Sequence, residues 1–589
     1  MNAEPARDSD IRDIRDIHIQ YDVEAPLRDG TVLRSTIYRP DRPGAFPVLL
    51  SRTPYGRDAG IDPMYFDPLR AARRGYVVVR QDVRGRFGSD GVFDPSHQEA
   101  ADGFDTVQWV AGLPYSDGTV GMWGKSYFAE TQWRAALTRP PALRAIVPGV
   151  SASHEWRDGG RMRGGAHELG SRWVWAHGPI GPDLVARRHA GDPGGLRVAM
   201  RQLLGDLERA SNGDLLATLP LAALTEPDAP TATLMTSLGM SVTDPEWERL
   251  RLAGLYEQVE VPAFHIGGWF DVFLPGTLGQ YLATAEVAAE RGTRAPRLTI
   301  GPWTHVSVAG ACGQLDFGPA ASGASLDLTD QHLRWYDATL KGHDEGLADD
   351  PVQLFVMGEN RWRGYDSYPV PGARTEEWYL QPDGGLARRV PPPCAPDSYD
   401  YDPEDPAPTV GGSTLLTPSL PAGPHDQRAV EARPDVLCFT SDVLQQPYVV
   451  LGAVSVTLHA ASSASDTDFV TRLVDVYPDG RAIGVADGII RASARASYPE
   501  PGVVTPVPPS PIEPDVAYEY RIDLWATGLK FLPGHRIRVD VTSSSHPRWD
   551  RNLNTGRSAY DSATTAVARQ RIFHDPDRPS RVMLTVVDE

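Results

Sequence analysis

"GMWGKSYFAETQW", residues Gly121–Trp133, decides the reading of this chain. It joins an apolar run, "TVGMW", to a segment with helical spacing, "YFAETQWRAALT". Ser126 stands at the junction, two residues after Gly124. A serine on a sharp strand-to-helix turn is where the G-x-S-x-G nucleophile elbow belongs. The second glycine position is taken by Phe128, which such a turn tolerates when the side chain points away from the neighbouring strand. Alone, the stretch fits equally a serine that caps the helix N-terminus.

Outward from it, "FPVLLSR", "YVVVRQ", "LRAIVPGV", "VPAFHIGG" and "PRLTIGP" read as buried parallel strands. Residues 98–112 and 127–138 read as helices between them. This alternation predicts an α/β class, a doubly wound open sheet with sites at the carboxyl ends of its strands. A hairpin turning at Asp29-Gly30 precedes it. Between 153 and 257 the alternation gives way to a Trp- and Gly-rich piece and helical patterns, read as an all-helical cap. After 345, "VQLFVMGENRWRGY" and later alternating runs read as an all-β jelly roll, with 391–425 as ordered loop. The expected organisation is an α/β-hydrolase domain over 1–152 and 258–345, a helical cap over 153–257 and a jelly roll over 346–589.

Composition narrows the partners. The net charge of −20, with no basic run, argues against nucleic acid and anionic membrane. No run approaches the ~20 apolar residues of a membrane helix. The charged N-terminus lacks the apolar core of a secretory signal, which predicts a cytoplasmic protein. Cys312, Cys394 and Cys438 contain no C-x-x-C and predict reduced thiols. Neither a metal-ligand cluster nor a phosphate loop is evident, so no cofactor is expected.

A serine hydroxyl is a poor nucleophile without a base. Hydrolase sheets supply the partners in the order Ser, acid, His. "VPAFHIGGWFDVF" places Asp271 just past a strand, and "PRLTIGPWTHVS" places His305 just past the next. A lone aspartate there is commonly a turn residue and a lone histidine commonly structural. Three such residues at three strand ends together point to nucleophilic catalysis. His154, His265, His535 and His546 are worse placed. The amide of Tyr127 is one expected oxyanion donor. Tyr55, in the "TPYGR" loop, offers a phenol as the second, or else packs on the sheet edge. Trp123, Trp269 and Trp303 adjoin the same strand ends and are candidate pocket residues, with core packing the competing role. Asp82, Arg84 and Arg86 in "QDVRGRFGSDG" read as ion pairs that shape a loop.

The set "TPYGR", "QDVRGRFGSDG", "VGMWGKSYFAETQW", "IGGWFDVF" and "GPWTH" resembles the CocE/NonD family of serine hydrolases, related to the X-Pro dipeptidyl peptidases. "SDTDFVTRLVDVYPDGRAIGVADGIIRA" and "YEYRIDLWATGLKFLPGHRIRVDVTSSSHPRWDRNLNTG" extend the likeness into the β region. The resemblance implies Ser126, Asp271 and His305 as the triad and Tyr55 with the Tyr127 amide as the oxyanion hole. It implies Phe273 as an aromatic residue of the acyl pocket. The family's α-amino acid ester hydrolases carry acidic residues two and three positions after the catalytic acid; here these are Phe273 and Leu274. That departure favours a neutral or aromatic acyl group.

The expected substrate is a small ester, amide or short peptide. An X-Pro dipeptidyl peptidase and an acyltransferase or cyclase use the same catalytic set. A non-enzymatic alternative is carbohydrate binding by the jelly roll. The β region could also provide a contact between subunits of a homo-oligomer. Lys125, beside the serine, has no role that the sequence assigns.

Overall fold

The computed structural model describes residues 16–59, 64–95, 97–152, 159–252, 254–347 and 350–588. His154 lies outside them.

The chain opens with an antiparallel hairpin, β1 (Ile17–Pro26) and β2 (Val32–Pro40). The runs read as buried strands then form β3 (Phe46–Thr53), β4 (Val77–Asp82), β5 (Ser116–Lys125) and β6 (Leu143–Gly149). Helix α1 (Pro68–Arg73) is capped by Asp67, and α2 (Glu99–Ala111) and α3 (Tyr127–Leu137) follow. Strand alternation divides the buried side chains between two faces. Leu49, Val78, Trp123 and Val147 meet Trp335 and Tyr336 of the helix Leu328–Leu340. Val48, Val79, Met122 and Ile146 meet Val107 of α2 and Trp133 of α3. A sheet covered on both faces requires the continuous apolar runs seen in the sequence.

The insertion after β6 is not all helical. A short hairpin, β7 (Met162–Arg163) and β8 (Ala166–His167), leads into α4 (Leu169–Trp175), α5 (Gly181–Arg188) and α6 (Pro193–Ser211). Gly164 makes the hairpin tip, at φ 53°, where an added Cβ would fall 2.0 Å from the Ile489 carbonyl oxygen. Only glycine fits so close to the β region's backbone.

The chain then returns to the sheet with β9 (Phe264–Phe270) and β10 (Arg297–Thr304), parallel to one another. Val352–Val356 continues the sheet parallel to β10, and Arg361–Tyr365 closes it antiparallel. The first sheet therefore holds ten strands in the order β1-β2-β4-β3-β5-β6-β9-β10 followed by these two. This corrects the expectation that everything after 345 joins the β sandwich. An alternating five-residue run suits a sheet edge as well as a sandwich, and only its partner decides. The remaining strands, from Arg374–Gln381 to Arg581–Val586, form a second, largely antiparallel sheet system. Residues 391–425, read as loop, contain one strand, Asp397–Tyr401.

Buried charge locks the insertion to the β region. Arg163 donates to the carbonyls of Asp487 and Asp523 and stacks 3.5 Å from the centre of the Trp525 ring. Arg548 pairs with Asp487 at 2.6 Å. Trp549 donates to Glu168 at 2.9 Å, and the His167 amide donates to Asp550 at 2.6 Å. The "HPRWDRN" phrase thus fixes the start of α4.

Asp540, itself buried, makes a second cluster with the half-buried Glu431 and Cys438. Both its carboxylate oxygens are buried without a hydrogen bond, and Arg472 stands 3.7 Å away. Burial, then the neighbouring Glu431, pushes its carboxyl from 3.8 up to about 7 against the pull of Arg472 and Arg538. A carboxyl raised on folding stabilises fully below its unfolded pKa and loses that contribution as pH rises through the folded value. Asp540→Asn stays neutral. Its melting temperature relative to the parent is expected to climb between about pH 5 and about pH 8, by an amount on the order of 2 kcal/mol in stability. Thermal melts across that range check it; a flat difference would contradict the raised pKa.

Candidate active site

β5 delivers Ser126 to the start of α3 with φ 64° and ψ −124°. Such a backbone is rare for a residue with a side chain and is held only by its surroundings. Its amide donates to the Gly149 carbonyl at 2.9 Å, tying the turn to β6. Gly124 explains the tolerance of Phe128. A Cβ on Gly124 would fall 2.5 Å from the Cβ of Phe128, so one glycine supplies the room for the turn. Phe128 turns its ring to Tyr55, 5.7 Å between centroids. Ser126 makes no side-chain cap bond to α3. Its Oγ lies 2.8 Å from His305 Nε2 instead.

His305 follows β10 and Asp271 follows β9. The two meet at 2.7 Å, Nδ1 to Oδ1. Asp271 is wholly buried, and its Oδ2 has no hydrogen-bond partner among the described residues. Its charge is therefore directed at one imidazole, which fixes the ring's orientation and favours its cationic form. Phe273 packs edge-on against His305, 5.0 Å between centroids, and lines the pocket over Ser126.

Tyr55 and Tyr127 contribute differently. Trp175 Nε1 donates to the Tyr55 hydroxyl at 3.0 Å. Burial raises the Tyr55 phenol above its ordinary value, with its contacts to Trp175 and Ser126 acting against it. The phenol thus keeps its proton and remains a donor beside Ser126. The Tyr127 phenol is turned into the core, where it donates to Glu99 at 2.7 Å, and Glu99 is held by the buried Arg52 at 2.7 Å. Its amide opens α3, where N–H groups lack a helical acceptor.

The three tryptophans are a correction. Trp123 packs on Phe66, 4.2 Å between centroids. Trp269 donates to the Phe355 carbonyl at 2.7 Å, and Trp303 to that of Ala321 at 2.8 Å. None of them lines the pocket. Each is a strand residue whose side chain falls on a sheet face packed by other elements. Among the described residues, the tryptophan lining the pocket is Trp175, from α4, together with Arg161, Arg172 and Leu415. Their segments carry no strand-end signal. Lys125 reaches back to the Val306 carbonyl at 3.4 Å and is not among the pocket's lining residues.

Asp82, Arg84 and Arg86 shape loops. Asp82 binds the amide and guanidinium of Arg57, and Arg84 forks onto Asp102 at 2.9 and 2.7 Å. Arg86 is fully buried and donates to the Pro54 carbonyl at 2.8 Å and the Ile180 carbonyl at 3.0 Å. It clamps the residue before Tyr55 to the insertion. Arg86→Met is expected to misplace Tyr55 and lower kcat by about 10–100-fold, with a smaller change in KM. Steady-state kinetics check this; loss of stability with unchanged kcat would assign Arg86 to folding alone.

Residues 29–307 match the family model for the X-Pro dipeptidyl-peptidase (S15 family), and 347–583 match its C-terminal non-catalytic domain. The cocaine esterase of Rhodococcus sp. is 36% identical over 96% of this chain and 98% of its own length. The chain belongs to the S15 and CocE/NonD family of serine hydrolases. An aminopeptidase from a marine sediment archaeon, Thaumarchaeota archaeon, superposes with a TM-score of 0.80 at 25% identity, over 100% of this chain and 99% of its own. An α-amino acid ester hydrolase superposes with a TM-score of 0.78 at 25% identity, over 97% of each chain. This member of the family is a serine hydrolase acting on esters or peptides, built on an α/β-hydrolase sheet with a C-terminal all-β unit. No helix among the described residues is long and apolar enough to cross a membrane.

Proposed function

We propose that this chain cleaves carboxylic esters or amides through an acyl-enzyme on Ser126, with a neutral or aromatic acyl group resting on Phe273. One observation carries the reading. The Ser126 Oγ stands 2.8 Å from His305 Nε2, whose Nδ1 is held by Asp271 at 2.7 Å. His305 takes the Ser126 proton as Oγ attacks the carbonyl carbon. Tyr55 and the Tyr127 amide receive the developing oxyanion. The imidazolium, steadied by Asp271, returns the proton to the departing alcohol or amine. Water, deprotonated by His305, then releases the acid.

The cocaine esterase relative supports esters as substrates, and the aminopeptidase relative supports peptides. Esters are favoured because Glu130, the one carboxylate lining the pocket among the described residues, is taken by Arg134 at 2.7 Å. Among the described residues, a peptide's ammonium would find only the Oε2 of Glu130, whose Oε1 is already held by Arg134. A panel of short aryl esters, aryl amides and X-Pro anilides tests this, with Ser126→Ala as control. Fastest turnover of the X-Pro anilide would move the assignment to dipeptidyl peptidase.

A further inference from the structure

The pocket at Ser126 is lined by three guanidiniums, Arg134, Arg161 and Arg172, against one carboxylate, Glu130, among the described residues. Glu130 is bonded to Arg134. Arg161 is 8% exposed and lies in the field of Glu130 and Glu246. Arg172 stands apart. It has no ion pair among the described residues, and its Nε is buried without a hydrogen bond. Its guanidinium carbon lies 4.8 Å from the centre of the Trp175 ring, the same indole that donates to Tyr55.

Arg172 is half-buried; holding an unpaired cation even partly out of water is costly, and an aromatic face offsets only part of that cost. Burial, and then repulsion from Arg161, pushes the Arg172 guanidinium well below its ordinary value. An anion entering the pocket relieves both effects. A guanidinium is the group whose planar fork matches a carboxylate with two parallel hydrogen bonds.

We propose that Arg172 is a specificity-determining residue that pairs with a carboxylate of the substrate, so that the ester or amide cleaved at Ser126 is an organic anion. The inference rests on the hydrolase reading above and adds the charge of the substrate to it. A carboxylate on the leaving portion keeps the acyl group at Phe273 neutral, whereas one on the acyl portion replaces that preference.

Two matched pairs of esters distinguish the placements. 4-Carboxyphenyl butyrate against 4-carbamoylphenyl butyrate varies charge on the leaving portion. 4-Nitrophenyl hydrogen adipate against 4-nitrophenyl hexanoate varies it on the acyl portion. In one pair the charged ester is expected to have the higher kcat/KM, by about 10–100-fold, the range of a charge-assisted pair. Arg172→Gln is expected to collapse that ratio, and Arg172→Lys to restore part of it. No preference in either pair, or the same ratio in Arg172→Gln, overturns the proposal. Calorimetric binding of the four esters to Ser126→Ala separates the two readings. Arg172-dependent preference in binding without turnover by the parent enzyme would sustain the anion site and sink the hydrolysis. Turnover with equal binding of charged and neutral esters would do the reverse.

Discussion

Ser126→Ala is expected to remove ester hydrolysis, lowering kcat by ~10⁵-fold or more. Triad members act as a unit, so loss of the nucleophile forfeits nearly all that the three contribute. What remains comes from the oxyanion donors and from binding. The same substitution should leave the fold almost untouched. Ser126 forms no cap to α3, so alanine deprives the helix of no bond. Its strained φ of 64° is equally demanding for serine and alanine. Its Oγ touches His305 and the Tyr55 phenol, and those contacts are what alanine gives up. Thermal melting within about 0.5 kcal/mol of the parent, with activity lost, is therefore the result that assigns Ser126 to chemistry. A fluorophosphonate probe checks the same point in the parent protein. An adduct should form on Ser126 and be absent from the variant. Full activity in Ser126→Ala, or labelling elsewhere, would remove the elbow from the mechanism.

The geometry of the proposed triad was legible because it obeys a local rule. Ser126, Asp271 and His305 each follow an apolar run that could only be a buried strand, and parallel strands bring such ends to one edge of the sheet. The walls of the pocket were not legible for the opposite reason. Trp123, Trp269 and Trp303 adjoin those ends in sequence, but the face a strand residue presents depends on what covers it. Trp175 and Arg172 come from α4, whose start is set by Trp549 on Glu168 and Asp550 on the His167 amide. Those contacts span more than 380 residues of sequence, and no window of sequence contains them. The misplaced strand Val352–Val356 makes the same point, since its alternation is identical whichever sheet receives it. Local pattern locates the reacting groups; long-range packing selects what they react with.

Tyr55→Phe is expected to lower kcat by ~10²–10³-fold, the usual loss for one oxyanion donor. The ring would keep its contacts with Tyr127 and Phe128, at 6.5 and 5.7 Å between centroids, so the pocket wall should hold. The hydroxyl alone is removed. Because Trp175 Nε1 already donates to that oxygen, the phenol's own proton remains available to an oxyanion formed at Ser126. A donor of this kind matters most as charge develops, so the loss should appear in kcat with KM little changed. Stability should fall by about 1 kcal/mol, because Trp175 Nε1 loses its acceptor. A tyrosine that merely packs on the sheet edge would behave otherwise, with phenylalanine serving nearly as well. Retention of activity to within about threefold would leave the Tyr127 amide as the sole donor of the two. Tyr127→Phe provides the contrast. Its hydroxyl faces Glu99, not the pocket, so its removal should cost stability and far less rate. If the two variants instead lose rate alike, the roles of the phenol at Tyr55 and the backbone at Tyr127 are not divided as the geometry divides them.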